Sequence, residues 1–121
     1  MASIILENEI LEYALGFQKR RDFISMVCGA EYQETRKCNR SGRLVADANF
    51  YEKLMTKLLT HGKIGDKVGN TSVGCCAEVN AANDIYIQYN IALNEIALSK
   101  AYRPKSMQIK EKCAICKSVF Y

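Results

Sequence analysis

The chain has 121 residues, 49% apolar and 25% charged, with one proline and seven glycines, which fits one globular domain and excludes two domains, a collagen-like repeat or a long disordered tract. Its formal charge of +4 and isoelectric point near 8.7 permit an anionic partner without specifying one. Six cysteines are too sparse for a disulfide-stapled secreted scaffold, and no segment approaches the ~18 apolar residues of a membrane helix, so a reducing, aqueous compartment and no membrane partner are expected.

In chain order, residues 4–17 place Ile5, Ile10, Leu11, Ala14, Leu15 and Phe17 mostly three or four apart, the spacing of an amphipathic helix ending near Lys19, Arg20 and Arg21. The opening residues lack a basic stretch ahead of their short apolar run, so no export leader is expected. Residues 23–32 are apolar and suited to a strand, whereas the polar run 33–43 reads as a loop. Its Arg36, Lys37, Arg40 and Arg43 offer either a phosphate-facing rim or a solvated surface. Asp47 or Asn49 can cap a second helix with Phe50, Leu54, Leu58 and Leu59 on one face and Gly62 as its stop. Residues 62–74, with Ile64, Val68 and Val73 set among glycines and polar residues, read as two short strands around a tight turn. From Cys76 the period becomes helical, with Val79, Ala82, Tyr86, Tyr89 and Leu93 on a stripe, either as one long helix or as two broken near Asn90. Pro104 pushes Arg103 towards an extended conformation, and residues 101–112 read as a strand leading into a last short element opened by Cys113 and Cys116.

Two short motifs concentrate the chemistry. Cys76-Ala77-Glu78 sets a thiolate and a carboxylate two residues apart at a predicted helix start, and Cys113 and Cys116 stand at i and i+3 on another, where amide dipoles favour the thiolate form. Three cysteine ligands suit zinc with its fourth position open to water. Hydrolytic deamination needs such a metal to acidify water, and a carboxylate beside it to carry the proton to the leaving amine. Cys76, Cys113 and Cys116 are therefore the candidate zinc ligands and Glu78 the candidate acid and base. Zinc deaminases share the signature H-x-E followed by P-C-x-x-C, with an all-cysteine variant. Here 34 residues separate Glu78 from Cys113, room for the helix and strand that bring two helix starts to one sheet edge.

The run Cys76-Ala77-Glu78-Val79-Asn80-Ala81-Ala82-Asn83, with Arg103-Pro104-Lys105-Ser106 ahead of Lys112-Cys113-Ala114-Ile115-Cys116, resembles the YwqJ-type deaminase domains of bacterial polymorphic toxins, in the cytidine deaminase-like superfamily, over roughly residues 62–120. The resemblance implies an α/β fold, a three-layer α/β/α sandwich with a mixed sheet and zinc clasped between two helix starts. It implies hydrolytic deamination of cytosine, or of adenine by the same parts, in single-stranded DNA or RNA. It also implies a toxin domain that acts in the cytoplasm, delivered within a larger secreted protein and countered by an immunity protein. Asn70 would orient the sugar or base, and Ala77 and Arg103 complete the candidate substrate-binding residues. Lys112 stands where the family has proline. The family continues into further strands beyond the CxxC helix, so the N-terminal half or a second copy is expected to complete the sheet, the latter giving a homo-oligomer.

Rival readings attach to the same residues. Free-nucleoside deaminases also begin with C-A-E, but they carry an arginine directly after the glutamate, and Val79 in that place favours a polymer substrate. A zinc-stabilised, non-catalytic interaction module would close the site with a fourth ligand, for which Cys75 is available. Cys28 and Cys38 read as a buried apolar residue and a thiol, His61 as a complement to a helix end, and Tyr86 and Tyr89 as core.

Overall fold

A computed structural model describes residues 2–18, 24–69, 71–111 and 114–120. Lys19, Arg20, Arg21, Asn70, Lys112 and Cys113 lie outside the described residues. Within them the order is α1 (Ile4–Phe17), β1 (Val27–Tyr32), β2 (Thr35–Arg40), α2 (Glu52–Leu59), β3 (Lys67–Val68), β4 (Thr71–Ser72), α3 (Ala77–Tyr86), β5 (Ala97–Leu98), β6 (Ala101–Arg103), β7 (Gln108–Lys110) and α4 (Ala114–Phe120), with short 3-10 turns at Asp47–Asn49 and Leu93–Glu95. No described helix is long and apolar enough to cross a membrane.

The architecture follows from β1. Successive side chains of a strand point to opposite faces. Val27 packs with Ile10, Ala14 and Phe17 of α1, whereas Cys28 meets Ala77, and Ala30 meets Ala81 and Ile85, all of α3. Helix α1 therefore covers one face and α3 the other. Small residues make this close approach possible: a Cβ on Gly29 would lie 2.8 Å from Leu6 Cδ1, so glycine lets α1 lie against the strand. The main sheet runs β2-β1-β6-β7, with β5 also paired to β1. Every described pairing is antiparallel, which corrects the expected mixed sheet. Tight turns join β1 to β2 and β6 to β7, and a turn that short can only return the chain antiparallel.

Between β5 and β6 the register with β1 slips by one residue, from Ala30 opposite Leu98 to Val27 opposite Tyr102. Ser99 and Lys100 form the resulting bulge. Ser99 repairs the ladder there, its amide donating to Gly29 O at 2.9 Å and its Oγ accepting from Gly29 N at 2.7 Å.

Three expectations need correction. Residues 35–40 form strand β2, not part of a loop; they are polar because β2 is an outer strand, where charge discourages further pairing. Helix α3 ends at Tyr86 without glycine or proline. Tertiary bonds turn the chain there: Tyr86 Oη donates to Leu93 O at 2.5 Å, and Tyr51 Oη donates to Ile91 O at 2.8 Å. Residues 101–110 hold a hairpin rather than the single strand expected over 101–112, with Met107 in a left-handed conformation (φ 58°) and its amide donating to Arg103 O at 2.7 Å.

A second apolar cluster joins Leu54 and Leu58 of α2, Val79 and Tyr86 of α3, and Ile115, Cys116, Val119 and Phe120 of α4. This cluster holds α4 against the body of the protein.

Helix α1 is fastened through Ser3. Its Oγ caps the helix by accepting from Leu6 N at 3.1 Å, and it donates to Glu31 Oε2 at 2.6 Å while Ser3 N donates to Glu31 Oε1 at 2.9 Å. Burial pushes the Glu31 carboxyl up, but the two Ser3 bonds and the Arg36 guanidinium outweigh it and hold the group below its ordinary value of 4.5. A carboxyl depressed by folding contributes stability above its unfolded pKa and loses it as pH falls through the folded one. Glu31→Gln should therefore cost about 1.5–3 kcal/mol at neutral pH, the range for bonds to a charged group. In urea titrations the difference from wild type should shrink below pH 4.5; a difference independent of pH would mean that the charge contributes nothing.

Candidate metal centre

The site is built where α3 begins. Gly74 turns the chain with φ 75°, a conformation that favours glycine, and delivers Cys76 to the N-cap of α3. Cys76 has extended backbone angles, its side chain caps nothing, and its carbonyl accepts the helical bond from Asn80 N at 3.1 Å. Glu78 follows in the first turn, only 2% exposed, and its Oε1 has no hydrogen-bond partner. Cys116 enters from α4 and is fully buried. The sulfurs of Cys76 and Cys116 and a carboxylate oxygen of Glu78 all lie within 4.8 Å of one another.

Two thiols, each able to become a thiolate, and a carboxylate brought this close, largely out of water, repel in their ionised forms, and a buried acceptor without a partner is costly. A divalent cation relieves both penalties. The soft sulfur donors, with the orphaned Oε1 of Glu78 beside them, therefore fit a site for a metal ion. Cys75 is not in this group: its thiol donates to Val73 O at 3.7 Å. Burial pushes the Cys75 thiol up, and the nearby Arg43 partly offsets this.

A cavity of about 640 Å³ opens over the group, lined by Cys75, Cys76, Ala77 and Glu78, by Ser25, Met26, Arg40, Ser41, Gly42 and Ser72, and by Arg103, Lys110 and Glu111. The start of α3 is tied to the wall at residues 40–42. Asn80 Nδ2 donates to Arg40 O at 2.8 Å and to Gly42 O at 3.0 Å, and Gly42 N donates to Cys75 O at 2.8 Å. The N-terminal half thus supplies the central strand, an outer strand and one side of the cavity.

Of the residues singled out from sequence, Cys76, Glu78 and Cys116 converge, and Ala77 and Arg103 line the same cavity. Asn70 and Cys113 lie outside the described residues. The expected basic rim is divided. Arg36 engages Glu31 at 3.2 Å and Glu9 at 3.4 Å, Arg43 engages Asp47 at 3.4 Å, and Arg40 alone of the four borders the cavity. His61 Nε2 lies 3.1 Å from Ser118 Oγ, linking the end of α2 to α4. Tyr86 stacks on Tyr51 within the core, and Tyr89 shares a 2.7 Å hydrogen bond with Thr35.

Sequence reasoning missed Ser25, Met26, Ser41 and Lys110. Ser41 reaches the cavity because the β1–β2 hairpin returns it beside Met26, its amide donating to Met26 O at 2.9 Å, and a turn of Gln33 and Glu34 gives no glycine or asparagine to announce that hairpin. The sequence matches no protein-family model, no curated protein and no solved structure, so the geometry and the motif carry the functional reading.

Proposed function

We propose that the chain is a zinc-dependent hydrolytic deaminase acting on cytosine, or on adenine by the same parts, in single-stranded DNA or RNA. The observation that supports this reading most is the meeting of Cys76, Cys116 and Glu78, whose Oε1 is unpartnered, beside a cavity that Cys76 and Glu78 line. Cys76 and Cys116 would hold the metal together with Cys113, the third cysteine of the motif. When bound, zinc with an open coordination position supplies activated water near neutral pH. Glu78 accepts the water proton on its unpartnered Oε1 and returns it to the departing amine. Its helix start and near-complete burial hold it in one place and limit competition from bulk water. Arg103, exposed at the cavity mouth, supports the substrate's backbone. By the motif resemblance, the domain serves as part of a bacterial toxin delivered to a target cytoplasm and is met there by an immunity protein, and a second copy would pair at β7, the outer strand opposite the charged β2.

A deamination assay on the zinc-loaded chain tests the reading. Cytosine in a single strand should be converted, duplex should react poorly because its bases must first be unstacked, and the rate should fall steeply with salt. Free cytidine turned over faster than the strand, without salt dependence, would make the protein a nucleoside deaminase. Bound zinc with no turnover of any base would leave a non-catalytic module.

A further inference from the structure

The lining of the cavity carries more positive charge than its chemistry at Glu78 uses. Arg40, Arg103 and Lys110 border it, and none of them takes part in the ion pairs of the described residues, which occupy Arg36 and Arg43 instead. Two carboxylates face the three cations, Glu78 and Glu111, and Glu78 belongs with the thiols. In the β6–β7 hairpin Ala101 lies opposite Lys110 and Arg103 opposite Gln108. Opposed and alternate residues share a sheet face, so Arg103 and Lys110 project from the face on which Ala101 packs against Ala77. They are diagonal neighbours, a relation that sets side chains roughly 7–8 Å apart at their bases, a span that one tetrahedral oxyanion can bridge.

A nucleobase is neutral, so these cations have no partner on the base. An anion held beside the base would engage them. The hydroxyls of Ser25, Ser41 and Ser72 on the same lining suit a sugar and its ester oxygens, and the volume falls within the ~300–1,000 Å³ typical of small-ligand sites.

We propose that Arg103, Lys110 and Arg40 form an oxyanion subsite on the cavity rim that takes the phosphate ester adjoining the reacting nucleoside. This rests on the deaminase reading for the identity of the base but not for the anion. It also moves the phosphate contact from the whole polar run 33–43 to the β6–β7 hairpin and the end of β2.

Fluorescence anisotropy on the full chain provides the test, with labelled single-stranded oligocytidylate and oligothymidylate as probes and cytidine and cytidine 5′-monophosphate as competitors. R103Q and K110Q should each weaken both strands and the monophosphate about tenfold, the loss of one charge-assisted contact, and leave cytidine unchanged. Losing both cations should reduce the slope of log affinity against log salt by about 1.4. K53Q/K57Q, which removes two exposed charges from α2, is the charge-matched control, and circular dichroism monitors folding throughout. If the control weakens binding as much, or cytidine competes as well as its monophosphate, the subsite is overturned. Preference for the monophosphate over a strand would assign the subsite to a free nucleotide, and the reverse to a polymer; either supports it. Oligothymidylate has no base to deaminate, so residue-dependent binding to it supports the subsite even where no cytosine is converted. Conversion that ignores all three cations keeps the deaminase reading and defeats the subsite.

Discussion

Replacing Glu78 with glutamine should lower turnover by about 10²–10⁴, the usual contribution of general acid and base catalysis, while zinc content stays near one per chain and the metal-free protein becomes no less stable. The first part follows from the role of Oε1, because an amide in the same place cannot accept and return a proton. The second follows from the donor set, in which the sulfurs of Cys76 and Cys116 stand beside the carboxylate and metal retention would rest on thiolates. The third follows from burial: Glu78 is 2% exposed and Oε1 has no partner, so without metal this buried acceptor is a cost that the fold carries. Replacing the carboxyl with an amide breaks no bond made by Oε1, the expected behaviour of a group kept for function at the expense of stability. Three measurements separate the possibilities: turnover, metal content by plasma spectrometry, and the melting temperature of the chelated protein. A variant that loses its zinc would make Glu78 a ligand, and one that retains full activity would remove it from the chemistry.

The helix bounds of α1 were legible in the sequence because they rest on local spacing, and Cys76, Glu78 and Cys116 could be grouped because two short motifs point to one metal chemistry. Details that depend on long-range packing were not. In α1 the apolar spacing puts Ile5 and Leu15 on the stripe, whereas the buried residues are Leu6, Ile10, Ala14 and Phe17, and Ile5 and Leu15 face outward. Both sets have helical spacing, and only the strand beneath decides between them. Likewise Leu54 and Leu58 of α2 are buried while Leu59 is exposed. Strand β2 was hidden by its polarity: in Thr35-Arg36-Lys37-Cys38-Asn39-Arg40 every side chain meets a polar or part-exposed setting, with Arg36 on Glu31 and Asn39 Nδ2 donating to Asp84 at 2.9 Å. An outer strand need not alternate apolar and polar residues. The end of α3 was hidden for a different reason, since the hydroxyls of Tyr51 and Tyr86, not a glycine or proline, stop it. Lys110, in turn, joins the cavity only through its register opposite Ala101.

Removing the metal should produce the largest loss of stability, and the loss should begin at α4. That helix has seven residues, too few to persist alone, because helix nucleation is costly and short helices depend on packing. Ile115, Val119 and Phe120 pack it onto α2 and α3, and His61 and Ser118 add a polar link. A metal shared by Cys76 and Cys116 would join its first turn directly to the start of α3, closing a loop of about forty residues that the unfolded chain cannot close without cost. With free zinc about a thousandfold above its dissociation constant, linkage gives about 4 kcal/mol of stabilisation, or roughly 10–20 °C in melting temperature for a domain of this size. Chelation should therefore lower the melting temperature by that amount, and hydrogen exchange should show the amides of 115–120 losing protection before those of β1 and α3. Cys116→Ser should bind far less than one zinc per chain and melt where the chelated wild type melts. Cys38→Ser is the matched control: its half-buried thiol, pushed up to about 11 chiefly by burial and also by Glu9, packs against the α1 cluster rather than the metal group, so it should keep full zinc. If chelation leaves the melting temperature unchanged, or Cys116→Ser retains a full complement of zinc, no metal joins these helices, and the unpartnered Oε1 of Glu78 must be balanced by some other ligand.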